Sequence, residues 1–134
     1  MIALGCDHGG YELMQKVKEH LDTKGYAYKD YGTYTNESCD YPEFAQKACA
    51  AITAGECDKG ILICGTGIGM SMAANKITGI RAALCTDVFS AQATREHNDA
   101  NVLCMGARVT GDALAFMIVD TFLETAFSNR SEER

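Results

Sequence analysis

Five short apolar runs punctuate the chain: Ile2 to Cys6, Tyr26 to Tyr31, Gly60 to Cys64, Ile80 to Cys85 and Asn101 to Met105. Most are continuously apolar rather than alternating, which predicts strands buried on both faces. Segments of helical length separate them. In Tyr11 to Lys24, residues Leu13, Met14, Val17 and Leu21 share one helical face, and in Asp112 to Phe127 residues Ala115, Val119, Phe122 and Ala126 do the same. Strand alternating with helix predicts an α/β protein, a single doubly wound Rossmann-like domain whose five-stranded parallel sheet carries helices on both faces. Pro42, the one proline, is expected in the long connection around Gly32 to Tyr41, where polar and turn residues cluster. Residues 1–127 are expected to form the domain and residues 128–134 a short polar tail.

Composition narrows the partners. Hydrophobic residues make up 47% and charged residues 22% of 134 positions, as in ordinary globular proteins with one core. The net charge of −6, with no basic stripe interrupted by aromatics, argues against nucleic acid. A small anion remains compatible, because a few converging cations outweigh a distant negative background that salt screens beyond about 8–10 Å. No apolar run approaches membrane-spanning length, and Met1 to Asp7 lacks the pattern of a secretory signal. Seven cysteines, with no Cys-x-x-Cys pair and no histidine at zinc-finger spacing, read as reduced thiols of a cytoplasmic protein without a metal.

In doubly wound sheets, ligands bind outside the carboxyl ends of the strands. The segments following the predicted strands are Asp7-His8-Gly9-Gly10, Asp40-Tyr41-Pro42, Gly65-Thr66-Gly67-Ile68-Gly69 and Gly106-Ala107-Arg108, and they are expected to converge on one crevice. The glycine-rich segment can crowd backbone N–H groups around an anion, or it can be a tight strand-to-helix turn. It departs from the dinucleotide fingerprint at Met70, and no P-loop lysine follows. Cys64, between a strand and a helix start, is either a small buried hydrophobe or a thiolate favoured by the positive helix end. Such a thiolate can take a proton from a carbon beside a carbonyl while the Gly65 to Gly69 amides hold the enediolate oxygen.

His97 lies in Arg95-Glu96-His97-Asn98-Asp99-Ala100-Asn101, a polar helix end. A helix returning antiparallel to the strands ends at the opposite edge of the sheet, so a catalytic His97 implies a second subunit; otherwise it is a surface histidine. His8 can contact a phosphate or be satisfied by nearby backbone, and His20 reads as surface. Arg108, Arg130 and Arg134 can clamp a phosphate or remain solvated.

Together, Gly5-Cys6-Asp7-His8-Gly9-Gly10, Asp40-Tyr41-Pro42, Ile63 to Gly69 with Ala73-Ala74-Asn75-Lys76, Gly79-Ile80-Arg81-Ala82 and Arg95 to Asn101 form five motifs in register. Through them the chain resembles the type B ribose-5-phosphate isomerases, relatives of the galactose-6-phosphate isomerase subunits. The resemblance implies that Cys64 moves a proton between C1 and C2, with Thr66 and the backbone of Gly65, Gly67, Ile68 and Gly69 stabilising the enediolate. It implies that His97 opens the furanose ring, that Asp7 and Asn98 contact sugar hydroxyls, and that His8, Arg108, Arg130 and Arg134 bind the phosphate. It further implies a homodimer with shared active sites, with pairing into tetramers open, and no metal or organic cofactor. Ser128-Asn129 stand where the family usually carries two glycines before its paired arginines. A six-carbon sugar phosphate such as allose 6-phosphate or galactose 6-phosphate is the alternative substrate. From other classes, a non-catalytic phosphate or nucleotide module and a thiol-based redox sensor remain, the latter disfavoured by the absence of Cys-x-x-Cys.

Overall fold

In a computed structural model, which describes residues 1–129, the chain alternates strand and helix throughout. The strands are β1 (Ile2–Cys6), β2 (Tyr28–Asp30), β3 (Lys59–Cys64), β4 (Ala82–Leu84) and β5 (Val102–Gly106). The helices are α1 (Tyr11–Lys24), α2 (Tyr41–Thr53), α3 (Ile68–Asn75), α4 (Val88–Asn98) and α5 (Asp112–Glu124), with a 3-10 turn at His8–Gly10. All strands are parallel, in the order β2-β1-β3-β5-β4. The predicted five-stranded doubly wound architecture is the one observed.

Alternate residues of each strand point to opposite faces, and both faces are apolar here. Leu4, Ile61, Ile63, Leu103 and Met105 pack under Leu13, Val17, Ala91, Ile118 and Phe122 of α1, α4 and α5. Ala3, Leu62, Cys64, Val102 and Cys104 pack under Phe44, Ala48, Met70 and Ala74 of α2 and α3. Residues 2–6 and 102–106 are buried throughout, so no strand face is left to water in the centre of the sheet.

The differences from expectation lie at the periphery. Both edge strands are shorter than their apolar runs: Tyr26 to Tyr31 yields only Tyr28–Asp30, and Ile80 to Cys85 only Ala82–Leu84. An edge strand has one ladder partner, and side chains complete the rest of its hydrogen bonding. On β4 the Asn75 amide donates to Ala82 O at 2.9 Å and accepts from Ala82 N–H at 2.8 Å, where a further strand would otherwise pair.

Pro42 belongs to the first turn of α2 rather than to the connection before it, at a position where its missing N–H costs nothing. Helix α5 ends at Glu124, short of Phe127. Thr125 is extended (φ −94, ψ 124), its carbonyl accepts from Arg95 Nε at 3.0 Å, and Ser128 N–H donates to Glu96 O at 3.1 Å. The chain after α5 therefore lies across the end of α4, and Ser128 of the expected tail is anchored there. His20, read as surface, is partly buried and partnered: its Nε2 lies 2.7 Å from Asp120 Oδ1 and its ring stacks on Phe116 at 4.6 Å. Among the described residues, no helix is long and apolar enough to cross a membrane.

Candidate active site at the carboxyl edge of the sheet

Strands β2 and β3 flank β1 on opposite sides, so the chain leaves β1 and β3 toward opposite faces and opens a crevice between the two loops. The loop after β1 is tied down by Asp7, which is buried. Its Oδ1 accepts from Gly10 N–H at 3.1 Å, and its own N–H donates to Ile63 O at 3.2 Å, so the turn is fastened to β3.

Cys64 ends β3, and Gly67 N–H points at its sulfur, donating at 3.1 Å. That N–H, together with the start of α3, is arranged to solvate negative charge. Thr66 Oγ1 accepts from Ile68 N–H at 3.2 Å and keeps its own hydroxyl proton available to an acceptor in the crevice. The tight path needs glycine twice. Gly67 adopts φ 83, in the left-handed region, and a Cβ on Gly106 would lie 2.5 Å from the Thr66 carbonyl carbon. The β5 loop is consequently pressed onto the β3 loop, with Ala107 N–H donating to Cys64 O at 2.9 Å and Arg108 N–H to Gly65 O at 3.0 Å. The Arg108 side chain crosses the open side of Gly65, where a Cβ would meet its Cδ at 3.5 Å and Nη1 at 3.6 Å.

His8 stands opposite. Its Nδ1 accepts from Cys39 N–H at 3.2 Å, so in the neutral ring the proton sits on Nε2. His8 and Arg108 share a cavity of about 440 Å³ with Lys16, Asn36, Glu12 and Asp112, in which Lys16 Nζ pairs with Asp112 at 2.7 Å. A donor histidine and an arginine facing one cavity suit a small anion.

Tyr41 stands beside the start of α3. Its ring lies against Gly69, close enough that a Cβ there would come within 2.8 Å of Cζ, yet the residue remains partly exposed. Sequence reasoning placed Tyr41 in a motif but not among the site residues. Its position directly after Asp40, in a segment following a strand, was the available signal.

The structure thus brings together Asp7, His8, Cys64, Gly65, Thr66, Gly67, Ile68, Gly69 and Arg108. It does not bring His97 and Asn98 to them. Helix α4 ends at Asn98 beside the start of β5, and the register sets Val102 against Gly60 but Gly106 against Cys64. Four strand residues correspond to about 13 Å. Asn98 instead borders a separate cavity of about 610 Å³ beside β4, with Asn75, Arg81, Leu84 and Thr94. His97 is exposed, its Nε2 3.8 Å from Glu96 Oε2. Arg130 and Arg134 lie outside the described residues.

Burial, with Asp30 adding, pushes the Cys6 thiol up to about 12, and burial pushes Cys49 and Cys85 to about 11. Cys104 is raised well above the usual range, chiefly by burial. These are protonated core thiols. Among the described residues, no three His, Cys, Asp or Glu side chains are grouped to hold a metal ion.

Fold and site define a doubly wound α/β protein that sets a thiol under a backbone N–H at a strand-to-helix turn, beside a cation-bearing cavity. A family model described as Ribose/Galactose Isomerase matches residues 2–134. The chain is 48% identical to ribose-5-phosphate isomerase B of Escherichia coli over 99% of its own length and 90% of that protein's. It is 41% identical to a galactose-6-phosphate isomerase subunit of Clostridium acetobutylicum, over 100% of this chain and 78% of the relative. The solved ribose-5-phosphate isomerase B of Clostridium thermocellum superposes with a TM-score of 0.95 at 53% identity, covering 96% of this chain and 87% of the other. The chain belongs to this family of sugar-phosphate isomerases, in its type B ribose-5-phosphate branch.

Proposed function

We propose that the chain interconverts ribose 5-phosphate and ribulose 5-phosphate through a cis-enediolate, without a metal or organic cofactor. The observation that carries this reading is the Cys64 sulfur, 3.1 Å from Gly67 N–H, at the end of a buried strand and next to the loop bearing Arg108. In the open-chain aldose, the Cys64 thiolate takes the proton from C2 as the C1 carbonyl oxygen becomes the enediolate oxygen. Within the cis-enediolate the proton of the C2 hydroxyl passes to the C1 oxygen, and the same thiol then returns its proton to C1 as the C2 oxygen becomes the ketone. Thr66 and the Gly65 to Gly69 amides hold the oxygen on which charge develops, the kind of interaction worth about 10²–10³ in turnover. Asp7 and Asn98 are assigned to sugar hydroxyls. His8 through its Nε2–H, Arg108, and Arg130 and Arg134 are assigned to the phosphate.

Ribose 5-phosphate is mostly ring-closed, so a proton must first leave the anomeric hydroxyl and another reach the ring oxygen. His97 is assigned to this step. Because it stands at the far edge of its own sheet, it serves a second copy of the chain. The β4 edge, with the cavity beside it and the exposed Ile68, Met72, Leu84 and Phe89, is the surface proposed for that homodimer. The reduced thiols suit a cytoplasmic setting.

The test is the initial rate of ketose formation from ribose 5-phosphate, allose 6-phosphate and galactose 6-phosphate, each with and without a chelator. A chelator-resistant preference for ribose 5-phosphate is the expected result. A hexose phosphate preference would keep the chemistry and change the substrate, and inactivity on all three would overturn the proposal.

A further inference from the structure

His97 and Asn98 form the last turn of α4, and last turns ordinarily fray. This one is held from two sides. Arg95 is only 7% exposed although it carries a charge. Its fork is directed at the chain around His97: Nε donates to Thr125 O at 3.0 Å, and Nη1 donates to Ala100 O at 2.6 Å and Asp99 Oδ1 at 3.2 Å. The guanidinium also lies 5.8 Å from the Phe122 ring centre. From the β4 side, Arg81 Nε donates to Asn98 O at 2.7 Å.

Asp99 adds a second peculiarity. It adopts left-handed backbone (φ 50, ψ 41), where a helix terminus normally carries glycine or asparagine. The aspartate is accounted for by its carboxylate, which meets the buried Arg95 charge. A helix that needed only to stop could use glycine at this position and an apolar residue in place of Arg95. Instead, hydrogen bonds from two arginines fall on three successive residues, Asn98 to Ala100, immediately after an imidazole that faces outward.

We infer that Arg95 and Arg81 are positioning residues for His97, holding the end of α4 rigid so that the exposed imidazole enters a neighbouring site with a fixed aim. The inference rests on the proposal that His97 opens the sugar ring. A displacement of about 1 Å at a reacting group can cost about 100-fold, and an exposed side chain on a fraying turn would wander further than that. Arginine suits the task because its planar fork binds in several directions with its geometry set.

The test compares Arg95→Lys, Arg81→Met and His97→Asn, alone and combined. Each arginine variant should lower kcat on ribose 5-phosphate about 10- to 100-fold with KM little changed. Exchange of the C1 hydrogen of ribulose 5-phosphate with solvent deuterium, which needs proton transfer but no ring opening, should stay near the unmodified rate. In the His97→Asn background the arginine changes should add nothing, and the backbone amides of residues 96–101 should exchange hydrogen faster in both arginine variants. Unchanged amide exchange, additivity with His97→Asn, or parallel loss of C1 exchange and isomerisation would each overturn the inference. Arg81→Met, which alters an exposed side chain, covers the case in which Arg95→Lys does not fold. If His97→Asn alone left isomerisation intact, the ring-opening assignment would fall, while faster exchange at 96–101 would still establish the brace.

Discussion

The two edges of the sheet are built from different materials. At the carboxyl edge the backbone itself forms the candidate site: Gly67 takes a left-handed turn, Gly106 lets two loops touch, and the Gly67 N–H donates to the Cys64 sulfur. At the amino edge, long arginine side chains hold backbone carbonyls so that an imidazole can point outward. The first arrangement sets a buried sulfur against a backbone donor at a helix start, where negative charge is favoured. The second encloses nothing, and under the proposed function it serves a site that a second copy of the chain brings to it.

The largest effect that would break or sharpen this contrast comes from the two chemical groups themselves. Cys64→Ala should lower turnover about 100- to 10,000-fold, and wild-type turnover in that variant would remove the base assignment. His97→Asn should slow ring-closed substrate strongly. Mixing the two inactive variants by co-refolding should then restore up to about a quarter of wild-type activity, because random pairing places both intact groups at one site of each mixed dimer. No recovery would mean that the two edges do not meet across subunits.

A smaller effect is expected at Arg108, which lies on the outer wall of the enclosed site. Arg108→Ala should raise KM about 10- to 100-fold, as expected from losing a charge-assisted hydrogen bond, while kcat changes little. A fall in kcat with KM unchanged would move Arg108 from phosphate binding to the reacting atoms.

The smallest effect concerns the core thiols rather than either edge. Because burial raises Cys6 to about 12 and Cys49 and Cys85 to about 11 from the ordinary 9.0, the unfolded chain releases these protons first as pH climbs. These groups leave stability unaltered below about pH 9 and lower it above that value. Thermal unfolding followed between pH 8 and 10.5 should show a midpoint that is flat and then falls by several degrees. A midpoint rising above pH 9 would contradict the assigned burial.

Much of the fold was legible because it rests on local pattern. Leu13, Met14, Val17 and Leu21 defined α1, and all four are buried on one face of Tyr11–Lys24. The same holds for β1, whose five apolar residues are the strand. The glycine loop was legible as a tight strand-to-helix turn, and Gly67 makes it in the left-handed region. The edges were less legible. Tyr26, Tyr31, Ile80 and Cys85 have the apolar character of strand residues but lie beyond the paired segments. Ala126 continues the helical pattern of Ala115, Val119 and Phe122, but the helix ends at Glu124 and the Thr125 carbonyl accepts from Arg95. His20 gave no sign of Asp120, a hundred residues away in sequence.

By itself, the sequence determined the alternation of strand and helix, the buried faces, and which residue types stand after each strand, since all three follow from periodicity and backbone preference within a few residues. Tertiary structure alone decided that Tyr41 covers Gly69 and that Arg95 is buried. Those facts depend on contacts between segments distant along the chain, where packing and hydrogen-bond satisfaction choose among partners that local pattern leaves equivalent.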